Sequence, residues 1–419
     1  MNRLARPMTV ALPILILSLL ALGAGLRVRN LNNVPRRSPD EAILTAQARI
    51  LSREGLAGTK SLLREFNAKR ESWLYPSPYR VGYIWLLSGV MKSLQETDEK
   101  VGAYISCAFS VAALLLLAVI GLRFFNPWIT AYALLFMSVS PMDLSIARRA
   151  WQDSMLGCLG LSLVYLSAEI TRNTNKLICY IFLVLIGSYC MLIKDTGIII
   201  YGLCIAWLLW LLFIKKQALW NGIGLVAFAA LGAGLGFLSL LHAAGGIAPL
   251  LEAPRHAFAA MRTNQYALEY QSGPRHYWLQ GFWLLSPLSS LLCLLGVGAS
   301  LLAAEPAGNK NGRVIRWIVF FAAAFMAITL ASPKSLNLLN MRYVSVLYAP
   351  FYLIAGLGFW RVILFFRSGL KGPHLYAALV FFSMITGLSA FNDYALFQKA
   401  FVNTGILDLS IRMVRDYAR

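Results

Sequence analysis

The chain has 419 residues, of which 58% are hydrophobic and 13% are charged, and its mean hydropathy is +0.64. These values lie outside the range of an ordinary soluble domain and are typical of an integral membrane protein. The net charge of +20 is consistent with basic loops on one side of a membrane and with attraction to anionic lipid headgroups. Because the cations are scattered over loops of both sides, they form no single basic face, and we expect no nucleic-acid partner.

Apolar segments long enough to cross a bilayer recur along the chain. We count about eleven by length and composition. They begin near Pro7, Val101, Pro127, Asp153, Leu177, Asp195, Leu219, Tyr277, Val314, Tyr343 and Pro373. The first has a basic flank like a signal peptide, but its apolar run is too long for one and no clean cleavage site follows, so we treat it as a span. The sequence therefore predicts an all-α polytopic membrane protein.

The placement of Lys and Arg in short loops predicts the orientation of these spans. If the N-terminus lies inside, every short inside loop is basic, through Arg123, Arg172 and Lys176, Lys215 and Lys216, Lys310, Arg313 and Arg316, and Arg367 and Lys371. On this topology residues 1–390 form one transmembrane domain and residues 391–419 form an outside tail. The sequence has no N-x-S/T sequon and no retention signal, which favours a bacterial inner membrane over an endoplasmic reticulum.

Two outside segments, residues 27–100 and 242–276, are longer than the other loops. In the first, "SPDE" predicts a helix with Ser38 as its N-cap and Glu41 three residues later. Gly55 closes this helix, and its apolar residues share one side, as in a helix that lies on a membrane surface. A later stretch, "YRVGYIWLLSGVMKSL", is short for a span, and we expect it to be interfacial or re-entrant.

Metal and nucleotide motifs are scarce. The six cysteines lie in apolar segments without a CxxC spacing, and the four histidines include no pair at metal-ligand spacing. These patterns predict neither a disulfide framework nor a catalytic zinc. The glycines of "GAGLG", Gly232 to Gly236, fall within a span and serve helix packing, because they lack the strand and turn of a dinucleotide-binding fingerprint.

Charged residues gather at the predicted outside ends of several spans, where their cost at the edge of the hydrocarbon points to function. Asp40 follows the N-cap, where the helix dipole favours an ionised carboxylate that can accept a proton. The other candidates are Glu41, Asp143, Arg148, Arg149, Asp153, Lys194, Asp195, Arg275, His276, Tyr277, Arg342 and Tyr343.

Structural roles are open for several of these residues. Glu41 completes a capping box with Ser38. Arg149 and Asp153 are four residues apart, as in a salt bridge along one helix face. The Arg and Tyr residues that begin later spans can serve as interfacial anchors.

The order of these motifs resembles the GT-C superfamily of polyprenyl-phosphate-dependent glycosyltransferases, most of all the protein O-mannosyltransferase and lipid A aminoarabinose transferase group. The shared features are a first span, an outside loop that opens with Asp40-Glu41 on a surface helix, "SP" followed by "ARRAWQDSML", and a Lys-acid-x-Gly turn at Lys194. The resemblance runs over roughly residues 1–215, and later only the "RY" at Arg342 and the general plan match.

The resemblance implies a GT-C bundle that holds a sugar on polyprenyl phosphate, with the phosphate at the outside surface. The family's catalytic acid in the first loop corresponds to Asp40 as general base. Its second acidic motif falls near Asp153 or Asp143, where this sequence lacks a clean DxD. The acceptor is a lipid, a glycan or a protein.

The residues suit this chemistry. Displacement of a phosphate from an anomeric carbon needs a deprotonated acceptor and cations for a leaving group that is already anionic, and one displacement inverts the anomeric centre. Candidates for the phosphate are Arg149, Lys194 and Arg342, with Arg275 as a further one. Mg²⁺ or Mn²⁺ bridging carboxylates and phosphate is an alternative, but the missing DxD leads us to expect that no cofactor is required.

Two other readings of the charges are open. A lipid-phosphate transporter or flippase would use the same cations without chemistry, although its functional charges are expected near mid-bilayer. A non-catalytic partner subunit would have the fold without the activity. The collection of charges at one face and the patterned first loop favour the enzyme.

Overall fold

The computed structural model describes residues 5–418 except 32, 33, 35, 36, 215–218, 303–309, 332–338 and 407. In this part of the chain the backbone is almost entirely helical, and extended backbone pairs only in an isolated bridge between Asn340 and Ser410. The predicted all-α class is therefore confirmed. Lys215 and Lys216, which enter the orientation argument, lie outside the described residues.

The first span and the first long loop contain four α-helices. These are α1 (Ala5–Val28), α2 (Pro39–Glu54), α3 (Gly58–Ala68) and α4 (Val81–Leu94). α2 has the predicted ends, because Ser38 is an extended N-cap and Gly55 follows the last turn with φ 68°, a left-handed φ that glycine adopts without strain. The buried side of α2, which includes Leu44 and Leu51, packs against α4. The loop is therefore a folded layer of helices.

Six helices follow in the middle of the chain. These are α5 (Glu99–Phe124), α6 (Pro127–Val139), α7 (Pro141–Ala147), α8 (Asp153–Arg172), α9 (Leu177–Ile193) and α10 (Thr196–Ile214). α6 and α7 are bent by 61° at Ser140, so the span predicted from Pro127 is broken. The break has a local cause, since Pro141 begins α7 and a proline ring disfavours helical backbone in the residue before it.

Nine helices complete the described chain. These are α11 (Leu219–Ala244), α12 (Ile247–Met261), α13 (Gln265–Tyr270), α14 (Tyr277–Leu285), α15 (Pro287–Leu302), α16 (Lys310–Ala331), α17 (Tyr348–Gly369), α18 (Gly372–Phe397) and α19 (Ile411–Ala418). A 3₁₀ segment, Met341–Leu347, precedes α17, and a π-helical segment, Gln398–Asn403, extends α18 past the expected boundary at residue 390. α14 and α15 meet at 110°, so the segment expected as one span from Tyr277 is instead a short helix followed by a longer one.

Among the described residues, eight helices are long and apolar enough to cross a membrane, or ten if each bent pair forms one span. Two shorter apolar helices, α4 and α9, have 14 and 17 residues. At the rise of an α-helix, α4 is about 21 Å long, less than a hydrocarbon core of about 30 Å, in agreement with the interfacial or re-entrant helix predicted for this stretch. The polytopic architecture is confirmed, whereas the expected count of about eleven spans is not.

Glycines allow α15 and α17 to pack closely. A Cβ added at Gly296 would lie 2.0 Å from the carbonyl oxygen of Ile354, and one added at Gly358 would lie 1.9 Å from that of Leu292. No side chain fits at either distance, so the two backbones approach as in other membrane helix pairs with small residues at the contact.

Gly296→Ala should therefore destabilise the protein by about 1–3 kcal/mol, the usual cost of overpacking, and should lower the Tm of the detergent-solubilised protein. Gly298→Ala on the same helix is the matched control, because a Cβ there would meet nothing within 4 Å. Equal Tm values for the two variants would show that the close contact does not limit stability.

Candidate active site

One cavity brings together charged residues from distant parts of the chain. This site cavity has a volume of 430 Å³, and its charged lining residues are Asp40, Arg80, Asp195, Arg342 and Asp408. They come from the start of α2, the turn before α4, the turn before α10, the segment before α17 and the segment before α19. Side chains of α12 and α13 complete the wall.

Asp40 and Arg342 form an ion pair at the site cavity. Oδ2 of Asp40 lies 2.5 Å from Nη2 of Arg342, and their side chains are 29% and 9% exposed. The Arg342 guanidinium also lies over the ring of Trp151, with 4.7 Å to the centroid. Its Nε is buried, has no hydrogen-bond partner among the described residues and is 4.0 Å from Oδ2 of Asp153. The carboxylate is thus partly accessible beside a cation that has unused donor capacity.

Glu41 points away from the site cavity and is fully buried. Its Oε1 accepts hydrogen bonds from the backbone N–H of Ser38 at 2.8 Å and from Nη1 of Arg149 at 3.0 Å. Its Oε2 accepts from Nη1 of Arg37 and from the backbone N–H of Ala150, both at 2.9 Å. Four donors therefore occupy the carboxylate, and it joins the start of α2 to the turn between α7 and α8.

Arg149 extends this connection to the end of the chain. Its Nη2 donates to the carbonyl of Ile406 at 2.6 Å, and its guanidinium lies 5.0 Å from the centroid of Trp151. Nε1 of Trp151 in turn donates to Oγ of Ser38 at 3.0 Å. Arg149 is not among the residues that line the site cavity. It holds three segments of the chain together around the buried Glu41 carboxylate.

Asp153 and Lys194 form a second buried pair next to the site cavity. Nζ of Lys194 donates to Oδ1 of Asp153 at 2.6 Å, and the side chains are 4% and 2% exposed. Burial lowers the pKa of Lys194 to about 8, although the charge of Asp153 acts in the opposite direction. Nζ also lies 4.3 Å from the ring centroid of Tyr343, which lines the cavity. α8 begins only at Asp153, so Arg149 and Asp153 do not share a helix face.

Two other candidates lie apart from the site cavity. Asp143 pairs with Arg27 of α1 and accepts a hydrogen bond from Oγ of Ser110 at 3.0 Å, which joins α7 to α1 and α5. Arg275 is exposed in the turn before α14 and is not a lining residue.

The structure adds Arg80 and Asp408 to the candidates. Nε of Arg80 is buried without a hydrogen bond among the described residues. Asp408 accepts hydrogen bonds from Asn340 at 2.7 Å, from Gln271 at 2.6 Å and from the hydroxyl of Tyr266 at 3.0 Å. Burial opposes ionisation there, but the charge of Arg342 and these donors hold the pKa of Asp408 below its ordinary value.

The sequence contains a signal for Arg80 but none for Asp408. Tyr79-Arg80 opens the short apolar stretch in the way that Arg342-Tyr343 opens a later span, so the pattern could have indicated Arg80. The hydroxyl of Tyr79 also donates to Oδ2 of Asp195 at 2.5 Å. Asp408 carries no local signal, because pairing of the segments around Asn340 and Ser410 brings it to the cavity.

Within the described part of the chain, no group of three or more His, Cys, Asp or Glu side chains is arranged to hold a metal ion. The site cavity has the guanidinium groups of Arg80 and Arg342 and the carboxylates of Asp40, Asp195 and Asp408. Asp195 and Asp408 already accept hydrogen bonds from neighbouring side chains, which leaves Asp40 and the two guanidinium groups for polar contacts with a ligand. This arrangement can bind an anion beside a hydroxyl group that donates to Asp40.

The sequence matches no protein-family model and no curated protein. Solved structures with the same architecture do exist. The oligosaccharyltransferase AglB from Archaeoglobus fulgidus, in complex with an inhibitory peptide and a dolichol-phosphate, is 12% identical with a TM-score of 0.58, over 93% of this chain and 56% of that one. The arabinosyltransferase EmbB from Mycobacterium smegmatis is 14% identical with a TM-score of 0.52, over 100% and 40%.

ArnT from Cupriavidus metallidurans bound to undecaprenyl phosphate is 15% identical with a TM-score of 0.49, over 99% of this chain and 75% of that one. The chain spans about half the length of AglB. At these identities the likeness to AglB and EmbB establishes the fold, which is that of the GT-C glycosyltransferases, as the sequence motifs led us to expect.

Glu41→Gln should destabilise the protein by about 3–5 kcal/mol, because it removes the carboxylate that compensates the buried charge of Arg149. The Tm of the detergent-solubilised variant would measure the loss. Glu71→Gln is the control, since Glu71 is exposed in the same loop. A Glu41→Gln protein as stable as this control would contradict an anchoring role for the carboxylate.

Proposed function

We propose that this protein is a membrane glycosyltransferase that moves a sugar from a polyprenyl-phosphate donor to an acceptor. The observation that carries the proposal is the Asp40–Arg342 ion pair in a cavity that also exposes Arg80. The GT-C fold supports it, because AglB, with the same fold, was solved with a dolichol-phosphate. The proposed acceptor is a lipid, a glycan or a protein.

In this proposal Arg342 and Arg80 bind the donor phosphate. Arg342 keeps one Nη2 contact with Asp40 and offers its other guanidinium donors to the phosphate, and Arg80 contributes the part of its guanidinium group that lines the cavity. Guanidinium groups suit this task, because they stay charged and bind phosphate through two parallel hydrogen bonds. As the bond to the sugar breaks, the same cations stabilise the departing polyprenyl phosphate.

Asp40 acts as the general base. It accepts the proton of the acceptor hydroxyl as the acceptor oxygen forms a bond to the anomeric carbon. The bond between that carbon and the phosphate oxygen breaks, and both of its electrons leave with the phosphate. Asp40 is suited to this role by its partial exposure and by its place in the first turn of α2, next to the cations that would hold the donor phosphate. A single displacement converts a β-linked donor into an α-linked product.

The remaining predicted site residues have positioning roles in this proposal. Glu41 and Arg149 fix the start of α2, and therefore the direction of Asp40. The buried pair of Asp153 and Lys194 lies next to Arg342 and Tyr343 and supports the positions of these two side chains. Arg275 has no role at the phosphate, because it does not line the cavity. Residues 1–390 are then not the complete functional unit, since Asp408 and its hydrogen-bonding partners close one side of the site.

The proposed setting is a bacterial inner membrane with a cytoplasmic N-terminus and the site cavity at the outer face, in the cell envelope. The basic loops that contain Arg123, Arg172, Lys176 and Arg367 support this orientation by the positive-inside rule. We propose that no resident cofactor is required, because Arg80 and Arg342 can contact the phosphate directly and stabilise its charge.

Asp40→Asn should lower the rate of sugar transfer by at least about 100-fold, the usual contribution of a general base, and should leave the fold and donor binding nearly intact. The assay measures release of polyprenyl phosphate from a panel of radiolabelled polyprenyl-phosphate sugars by the purified protein. Asp98→Asn is the matched control, since Asp98 is a half-exposed N-cap in the same loop and asparagine caps helices equally well.

Substantial turnover by Asp40→Asn would remove the general-base role. Donor binding without release from any donor in the wild-type protein would instead favour a lipid-phosphate transporter or a non-catalytic partner subunit.

Arg342→Gln and Arg80→Gln should each weaken donor binding by at least about tenfold, because each removes a charge-assisted hydrogen bond to the phosphate. Lys194→Met should weaken it less, since Lys194 is paired with Asp153 outside the cavity lining. Equilibrium binding of a labelled donor measures these changes, with the exposed Arg53→Gln as control. Unchanged affinity in both arginine variants would place the phosphate site elsewhere.

A further inference from the structure

A second cavity, of 260 Å³, lies where the end of α1 meets the turn between α7 and α8 and the end of α18. It shares no lining residue with the site cavity. Its lining residues are Leu26, Arg29, Asn30, Arg148, Tyr394, Phe397, Gln398 and Val402, which include two arginines and no carboxylate. A water molecule takes about 30 Å³ in the liquid, so this second cavity has room for a group several waters in size.

Arg148 is the buried cation of the second cavity, with 9% of its surface exposed. Its Nη2 donates to the carbonyls of Arg29 at 3.0 Å and Asn30 at 2.7 Å, and its guanidinium lies 5.6 Å from the ring centroid of Phe397. Its Nε is buried without a hydrogen bond among the described residues. The side chain is therefore fixed in place by neutral groups.

Arg148 differs from the other buried cations of the described chain. Each of the others has a carboxylate partner, and the pairs are Arg27 with Asp143, Arg149 with Glu41, Lys194 with Asp153 and Arg342 with Asp40. The ionisable groups that act on Arg148 are Tyr394, Cys107 and Arg149, and none of them is a carboxylate. A buried charge without a counter-ion is costly, so Arg148 calls for an anion from outside the chain.

An apolar groove of 890 Å³ meets the second cavity at Asn30. One side is the end of α1, and the other is a stripe on α5 formed by Tyr104, Cys107, Ala108, Val111, Ala112 and Leu115. These residues recur at helical spacing, and at 1.5 Å per residue the stripe is about 16 Å long. That length is close to half of a hydrocarbon core of about 30 Å. The groove therefore matches an acyl chain in one leaflet.

We propose that the second cavity and the apolar groove together bind one anionic phospholipid, apart from the glycosyl donor. The headgroup phosphate lies against Arg148 and Arg29, and an acyl chain lies along the α5 stripe. The charge of the phosphate compensates Arg148, and Arg29 adds a second, exposed cation at the cavity rim. A lipid fits both features at once, since the basic second cavity and the apolar groove share Asn30.

The test titrates the purified full-length protein in a neutral detergent with phosphatidylglycerol and counts bound lipids by native mass spectrometry. Phosphatidylcholine tests the need for net negative charge, and glycerol phosphate tests the need for the chain. Arg29→Gln and Ala108→Trp should each weaken phosphatidylglycerol binding by at least about tenfold. Both positions are exposed, so these variants should fold even if Arg148→Gln does not. Arg53→Gln is the charge control.

Arg342→Gln separates this site from the site cavity. We expect that variant to keep the phosphatidylglycerol affinity of the wild type, whatever its effect on donor binding. The proposal is overturned if Arg342→Gln abolishes lipid binding while Arg29→Gln and Ala108→Trp do not, because the lipid then occupies the site cavity. It is equally overturned if glycerol phosphate or phosphatidylcholine binds as tightly as phosphatidylglycerol.

Discussion

The position of the first long loop against the rest of the protein depends on one buried carboxylate, that of Glu41. Glu41 accepts four hydrogen bonds, from its own helix N-terminus, from Arg37 and from Arg149 and Ala150 in the turn between α7 and α8. A carboxylate without solvent is tolerable only when donors surround it in this way. The adjacent residue, Asp40, therefore has a fixed backbone position, although its own side chain is partly exposed. Neighbouring carboxylates thus divide the tasks of anchoring and contact with a ligand.

The same interaction explains how distant segments form a single site. Arg149 reaches from Glu41 to the carbonyl of Ile406, and Asp408 lies two residues further along the chain. Asp408 in turn is held by Asn340, which lies two residues before Arg342. Hydrogen bonds and short steps along the chain thus link the first long loop to the segment around Asp408 and to Arg342, the partner of Asp40. Opposite charges within this series compensate part of the cost of burying them.

Much of this architecture could be predicted from local pattern. The Ser38 cap, the proline at the first helical position and Gly55 define α2 correctly, because these signals act within one helix. The breaks at Pro141 and Pro287 follow known proline chemistry, but hydropathy counts treat each bent pair as a continuous segment. Counting each bent pair as one span gives ten in the described residues, and the eleventh expected span is α9, which has only 17 residues.

The site was less predictable, for a physical reason. Arg342 and the pair Asp153–Lys194 lie at the ends of spans, and Asp40 lies at the start of α2 in the first long loop. A charged side chain at the edge of the hydrocarbon costs free energy, so charged residues at such positions stand out in the sequence. These residues pair across distant parts of the chain, and sequence spacing does not show such pairs. The spacing suggested a salt bridge between Arg149 and Asp153, whereas in the structure Arg149 pairs with Glu41 and Asp153 pairs with Lys194. Asp408 lies outside every apolar segment and gave no signal.

The position of Asp408 after α18 also bears on biogenesis. Helices that enter the membrane one after another during synthesis would assemble the Asp40, Arg80 and Asp195 sides of the cavity first. Arg342 would follow with α17, and Asp408 would arrive only after the last long helix had been inserted. A chain still emerging from the ribosome would hold these carboxylates and guanidinium groups in an open, hydrated cleft. The site cavity would therefore lack one of its walls until Asp408 had followed α18 out of the ribosome.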